Sequence, residues 1–120
     1  MLIPIIKEPV TRSRLREIAK ERFGDLVKGA VDIEKGIMAL GGELHIDEEV
    51  VLIESENSKQ ENIWGINLYP DKEGDDFIEY DSMINIKPNL GNRTCGVDDE
   101  NIRIKIKEII ANLKIGRAHV

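Results

Sequence analysis

The sequence predicts an α+β domain of two layers: an antiparallel sheet of four to five strands with two main helices packed on one face. Three observations carry that expectation. Apolar and polar residues alternate over 26–34, and again over 64–69 and 77–86, which is the period of a half-buried strand. Apolar residues recur at helical spacing over 12–23 and 98–113. The chain has 120 residues, 41% of them apolar and 33% charged, enough for one compact core and one domain.

Residues 2–6, Leu-Ile-Pro-Ile-Ile, read as a short strand in which Pro4 suits an edge. Thr11 is an N-cap candidate for a helix over 12–23. Leu15, Ile18, Ala19 and Phe23 form its apolar stripe, and Gly24 stands where a helix C-terminal glycine belongs. Arg12, Arg16 and Lys20 line its exposed side. Val27, Val31 and Ile33 share one face of the next strand, with Lys28, Asp32 and Glu34 on the other; a tight turn at 34–36 leads to a returning strand at 37–40. Residues 47–54 begin with three acids that suit a helix's first turn, against a β-branched run that suits a strand, and the acids favour a short helix.

A hairpin is expected next. With Tyr69 facing Phe77, Leu68 pairs with Ile78, Ile66 with Tyr80 and Trp64 with Ser82 on the core side. Asn67–Glu79 and Gly65–Asp81 pair on the opposite side, which is expected to be solvated. The stretch 98–113 fits both periods. Its acidic start and sixteen-residue length favour a helix, whose stripe of Ile102, Ile106, Ile109, Ile110 and Leu113 leaves Ile104 outside. Residues 115–120, Ile-Gly-Arg-Ala-His-Val, match one reading frame of a common sequencing adapter. The domain is therefore read as 1–114 and the last six residues, with His119, as a non-native tail.

The net charge of −6 argues against general affinity for nucleic acid or anionic lipid. That charge is uneven, at +3 over 1–30, −13 over 31–100 and +4 over 101–120, a pattern that suits self-association or a charged protein partner. A lone Cys95, no apolar run long enough for a membrane helix and an opening unlike a signal peptide point to the cytoplasm.

Four groups of residues could carry chemistry. Glu43, His45 and Asp47 would share a face of an extended segment at about 6–7 Å spacing, and with Asp32 or Glu34 they could hold a divalent metal that activates water. Asn92 and Arg93 lie in a glycine-containing loop before a helix, an arrangement suited to a small anion, although Asp98, Asp99 and Glu100 would repel one. Cys95 has Arg93 nearby but no neighbouring histidine, which suits an inert thiol better than a nucleophile. Glu79 and Asp81 would suit acid–base work only if buried.

Val31–His45, Lys59–Pro70 and Asp81–Arg93 resemble three hallmark stretches of a small family of uncharacterised prokaryotic proteins catalogued as a domain of unknown function. The resemblance runs from Ile3 to about Leu113 and implies a single domain with no established activity. It also implies a basic residue in relatives where Cys95 stands, which weighs against a nucleophilic role. The expected function is a binding or interaction module, homodimeric in its simplest form. A metal-dependent hydrolase centred on His45 and an anion site at Asn92 and Arg93 are the rival readings.

Overall fold

The computed structural model describes residues 3–116. Its elements are β1 (Ile5–Ile6), α1 (Arg12–Arg22), β2 (Val27–Asp32), β3 (Ile37–Leu40), α2 (His45–Glu56), β4 (Ile63–Leu68), β5 (Ile78–Glu79) and α3 (Glu100–Asn112). The strands form one antiparallel sheet in the order β1-β3-β2-β4-β5. Thr11 caps α1 by accepting the Arg14 N–H, and Asp99 caps α3 by accepting the Asn101 N–H. Asp32 closes the β2–β3 turn, its Oδ1 accepting the N–H groups of Glu34 and Lys35 at 2.9 and 3.0 Å.

Strand alternation divides the core in two. Val27, Val31, Met38, Leu40, Trp64, Ile66 and Leu68 pack in one cluster with Leu15, Ile18 and Ala19 of α1 and Ile106, Ile109 and Ile110 of α3. The intervening residues Ala30, Ile37, Ala39 and Ile63 pack with Leu52 of α2. The second face of the sheet, expected to be wet, therefore carries a helix of its own, and all six residues of β4 are buried. Residues 47–54 are helical within α2, and 98–113 contains α3, with Ile104 exposed at 45% as its stripe requires.

The hairpin register is observed at Leu68–Ile78 and Asn67–Glu79. Beyond Glu79 the second strand stops, so the expected Ile66–Tyr80, Gly65–Asp81 and Trp64–Ser82 ladder pairs are not made. The reason is local. Ser82 lies so close to Gly65 that a Cβ there would come within 2.5 Å of its Cβ and Oγ, and only glycine admits that approach. In place of a strand, the fully buried Asn85 side chain accepts the Gly65 N–H at 2.7 Å and donates to the Gly65 carbonyl at 2.9 Å and the Cys95 carbonyl at 2.9 Å.

Two further buried polar side chains hold this irregular segment. Lys87 Nζ donates to the carbonyls of Gln60 and Ile84 and sits 5.2 Å from the centre of the Trp64 ring. Asn92 donates to the carbonyls of Asn85, Thr94 and Gly96 and accepts the Asp98 N–H. The basic side of α1 is likewise engaged within the fold. Arg12 donates to the Pro70 and Lys72 carbonyls, Arg16 pairs with Asp71 at 2.7 Å, and Lys107 of α3 approaches Asp75 at 3.8 Å. At the C-terminus, Ile115 is buried and the Gly116 N–H donates to the Val10 carbonyl. Residues 117–120 of the expected tail, including His119, lie outside the described residues.

Replacing Asn85 with Ala would strand the N–H and carbonyl of Gly65 in the interior, while the Cys95 carbonyl keeps the Ser82 N–H, each unmet group costing on the order of 1–3 kcal/mol with partial relief from relaxation. Urea unfolding of Asn85→Ala should show a loss of about 3 kcal/mol, well above the ~1 kcal/mol of a single ordinary hydrogen bond. A loss under that single-bond value would remove Asn85 as the element that completes the β4 edge.

Candidate functional site

The face of the sheet that carries α2 is open along one side, where a cleft of about 630 Å³ runs between the start of α2, β4 and residues 81–86. Leu44, His45, Ile46 and Glu49 line it from the first turns of α2, Lys28 from β2, Asn67 from β4, and Asp81, Ser82, Met83, Ile84 and Ile86 from the segment after β5, with Gln60 and Cys95 beside them. Lys28 and Asn67 both belong to the face of β2 and β4 opposite the α1/α3 cluster, where they are paired in register across the two strands. The rim is apolar and exposed: Leu44 at 52%, Ile46 at 46%, Met83 at 79% and Ile86 at 41%.

The interior of the cleft is polar and mostly buried. His45 Nε2 lies 2.9 Å from the Ile66 carbonyl. Burial pushes the imidazole below its ordinary pKa, the Ile66 carbonyl opposes that, Lys28 adds to it, and Asn67 and Asp81 oppose it. Asn67 donates to Glu79 Oε1 at 2.9 Å and to the Asp81 carbonyl at 3.4 Å, while its Oδ1 is buried without a partner. Glu49 has a buried, unpartnered Oε2, and its carboxyl is pushed upward by burial and drawn back by Lys87. Its neighbour on the same helix, Glu48, is fully buried. Its Oε2 accepts the Gly42 N–H at 3.0 Å and its Oε1 has no partner. Burial holds the Glu48 carboxyl well above the usual carboxylate range, with the Gly42 N–H and Lys28 opposing and Asp47 adding to the rise.

The proposed metal set is not brought together. Residues 45–47 are helical rather than extended, so positions two apart point about 200° around the helix instead of sharing a face. His45 consequently enters the cleft, while Glu43 and Asp47 border a separate depression with Arg22, Ile3, Val50 and Val51. Asp32 is engaged in the β2–β3 turn and Glu34 accepts from Asn62. Among the described residues no three His, Cys, Asp or Glu side chains are grouped to hold a metal ion. In the anion candidate, Asn92 is turned inward with its amide engaged in the loop, while Arg93 is exposed beside it. Cys95 is half-buried at the edge of the cleft.

A family model described as "Protein of unknown function (DUF5674)" matches residues 4–113, nearly the whole chain. The chain belongs to DUF5674. Each of the three stretches that carry the resemblance in the sequence has a structural place. Val31–His45 spans the end of β2, β3 and the entry to α2; Lys59–Pro70 contains β4; Asp81–Arg93 forms the cleft wall with Asn85, Lys87 and Asn92 inside it. No curated protein and no solved structure matches the chain. Among the described residues of this DUF5674 member, no helix is long and apolar enough to cross a membrane.

Glu48, Glu49, Lys28 and Lys87 were not among the residues singled out from the sequence. An acid or a lysine in a polar stretch carries no local signal of burial. Only the α2 stripe would have revealed it, since Glu48, Glu49 and Leu52 fall within four residues of one another, on the side that Leu52 buries.

The carboxyl of Glu48 generates a pH test. In the range above an unfolded glutamate's pKa and below its own, the folded protein holds a proton that the unfolded chain has released, so stability is fully present at the acid end and lost as pH rises through the folded value. His45 acts oppositely: its lowered pKa removes stability as pH falls below about 6.5. Glu48→Gln, a permanently neutral stand-in, should raise Tm at alkaline pH and flatten the decline in stability above the carboxylate range. An unchanged profile would show that Glu48 does not carry its proton in the folded state.

Proposed function

We propose that this protein is a binding module that receives a small, partly apolar ligand in the cleft beside α2. The observation that supports it is the pairing of an apolar rim with two lining side chains more than nine-tenths buried, Glu49 and Asn67, each holding an oxygen buried beneath the cleft with no partner. Native interiors rarely leave such atoms unmet, and an apolar pocket with a few convergent polar groups is the usual form of a ligand site. The apolar walls would take the body of the ligand and the polar floor its head.

A second reading is supported by the exposed side of α2. There Val50 at 42% and Ile53 at 38% extend the apolar rim away from the cleft, a surface suited to a second copy of the chain or to a protein partner. The lone, half-buried Cys95 suits a reducing compartment, and the cytoplasm is the location we propose.

Amide NMR spectra recorded against a library of small apolar and polar fragments test the first reading. Perturbations should concentrate at 44–49, 66–68, 81–86 and 95. The double variant Ile46→Glu, Met83→Glu, altered only at exposed rim positions, should bind the hits at least about tenfold more weakly with Tm unchanged. Hits scattered over the surface, or indifferent to the rim variant, would refute the cleft as the binding site. For the second reading, light scattering should report a dimer that Val50→Glu, Ile53→Glu reduces to a monomer; a monomeric parent protein with no captured partner would dismiss it.

A further inference from the structure

We infer that the cleft takes a small organic cation, an apolar body bearing a protonated amine or amidine head. This deepens the proposed ligand-binding reading and rests on it. The hydrogen-bonding atoms of the floor that lack partners all accept rather than donate. Both N–H groups of the Asn67 amide are engaged, by Glu79 Oε1 and the Asp81 carbonyl, so its Oδ1 is what remains. The partner of His45 Nε2 is a carbonyl, which only accepts. That nitrogen therefore carries the proton of the neutral ring, which also lies against the Asn67 side chain. Glu49 contributes an unpartnered Oε2, and Asp81 an exposed carboxylate at the mouth. The unengaged atoms are thus acceptors, two of them on carboxylates.

The cations near these groups do not fill that role. Lys87, which faces Glu49, donates to the Gln60 and Ile84 carbonyls, and no ion pair joins it to Glu49 among the described residues. Lys28 lines the cleft with its ammonium 5.0 Å from the centre of the Phe23 ring, a cation–π placement. A ligand ammonium that donates to Glu49, Asn67 and Asp81 would meet the unpartnered acceptors with charge-assisted bonds, while its hydrocarbon part covers Ile46, Met83 and Ile86.

Three probes with one tail and three heads separate the outcomes: hexylamine, hexanol and hexanoate, titrated at neutral pH by NMR. Hexylamine should bind most tightly. Asp81→Asn and Glu49→Gln should each weaken it by about tenfold while leaving hexanol within about twofold, the difference expected for loss of one charged partner. Asp81 is exposed, so its variant tests the idea even if Glu49→Gln disturbs α2. Hexanoate binding more tightly than hexylamine and lost in Lys28→Met, or hexylamine and hexanol binding equally, would overturn the cation assignment and leave the ligand site standing. No saturable binding by any of the three at the cleft would overturn both.

Discussion

The contact on which the cleft side of the molecule depends is the close approach of Ser82 to Gly65, sealed by the Asn85 amide on the Gly65 backbone. A sheet edge normally presents its N–H and C=O groups to another strand or to water. Here the edge of β4 turns inward, and a single side chain replaces the missing strand where no water is needed. Because Asn85 also bonds the Cys95 carbonyl, and Asn92 bonds the Asn85 carbonyl, the segment 82–98 is tied to the sheet through side chains rather than through a ladder. That is why an irregular stretch can serve as a firm wall, with Met83 and Ile86 left on its outer side.

Coverage of the sheet on both faces sets the chemistry of α2. The helix contributes one fully buried leucine, Leu52, and beside it His45, Glu48 and Glu49 are carried into the interior. Taking ionisable groups out of water disfavours their charged forms, so the acids move up and the imidazole moves down. Each is thereby biased toward its neutral form, and the apolar rim and polar floor can coexist in one cleft.

Much of the architecture was legible in the residues. Thr11, the Leu15–Ile18–Ala19 stripe and the acid-led Ile106–Ile109–Ile110 stripe mark α1 and α3 because capping and spacing are local properties. The register at Leu68–Ile78 follows from alternation alone. What alternation could not report was a strand replaced by one side chain: Ile84 and Ile86 keep the period of two, yet the tight approach at Gly65 ends the ladder before them. The site was less legible than the fold. Reading Glu43, His45 and Asp47 as extended placed them on one face, whereas a helix beginning at His45 turns that side chain into the cleft and leaves Glu43 and Asp47 at a separate depression. Asn67 was noticed but assigned to a solvated surface, where Asp81 does remain exposed, since nothing nearby in sequence announces that α2 lies across from Asn67.

The uneven charge along the chain has a different meaning once folded. Arg12, Arg16 and Lys107 reach across to the 70–76 loop, where Arg12 meets the Pro70 and Lys72 carbonyls while Arg16 and Lys107, from the two ends of the chain, lie against Asp71 and Asp75 from its middle. Opposite charges interleaved at a few ångströms form multipoles, whose fields decay faster with distance than that of a separated pair. At that loop, part of the electrical asymmetry visible in one dimension is offset in three. There a charged visitor would be met by short-range contacts, while the net charge of −6 still acts from afar.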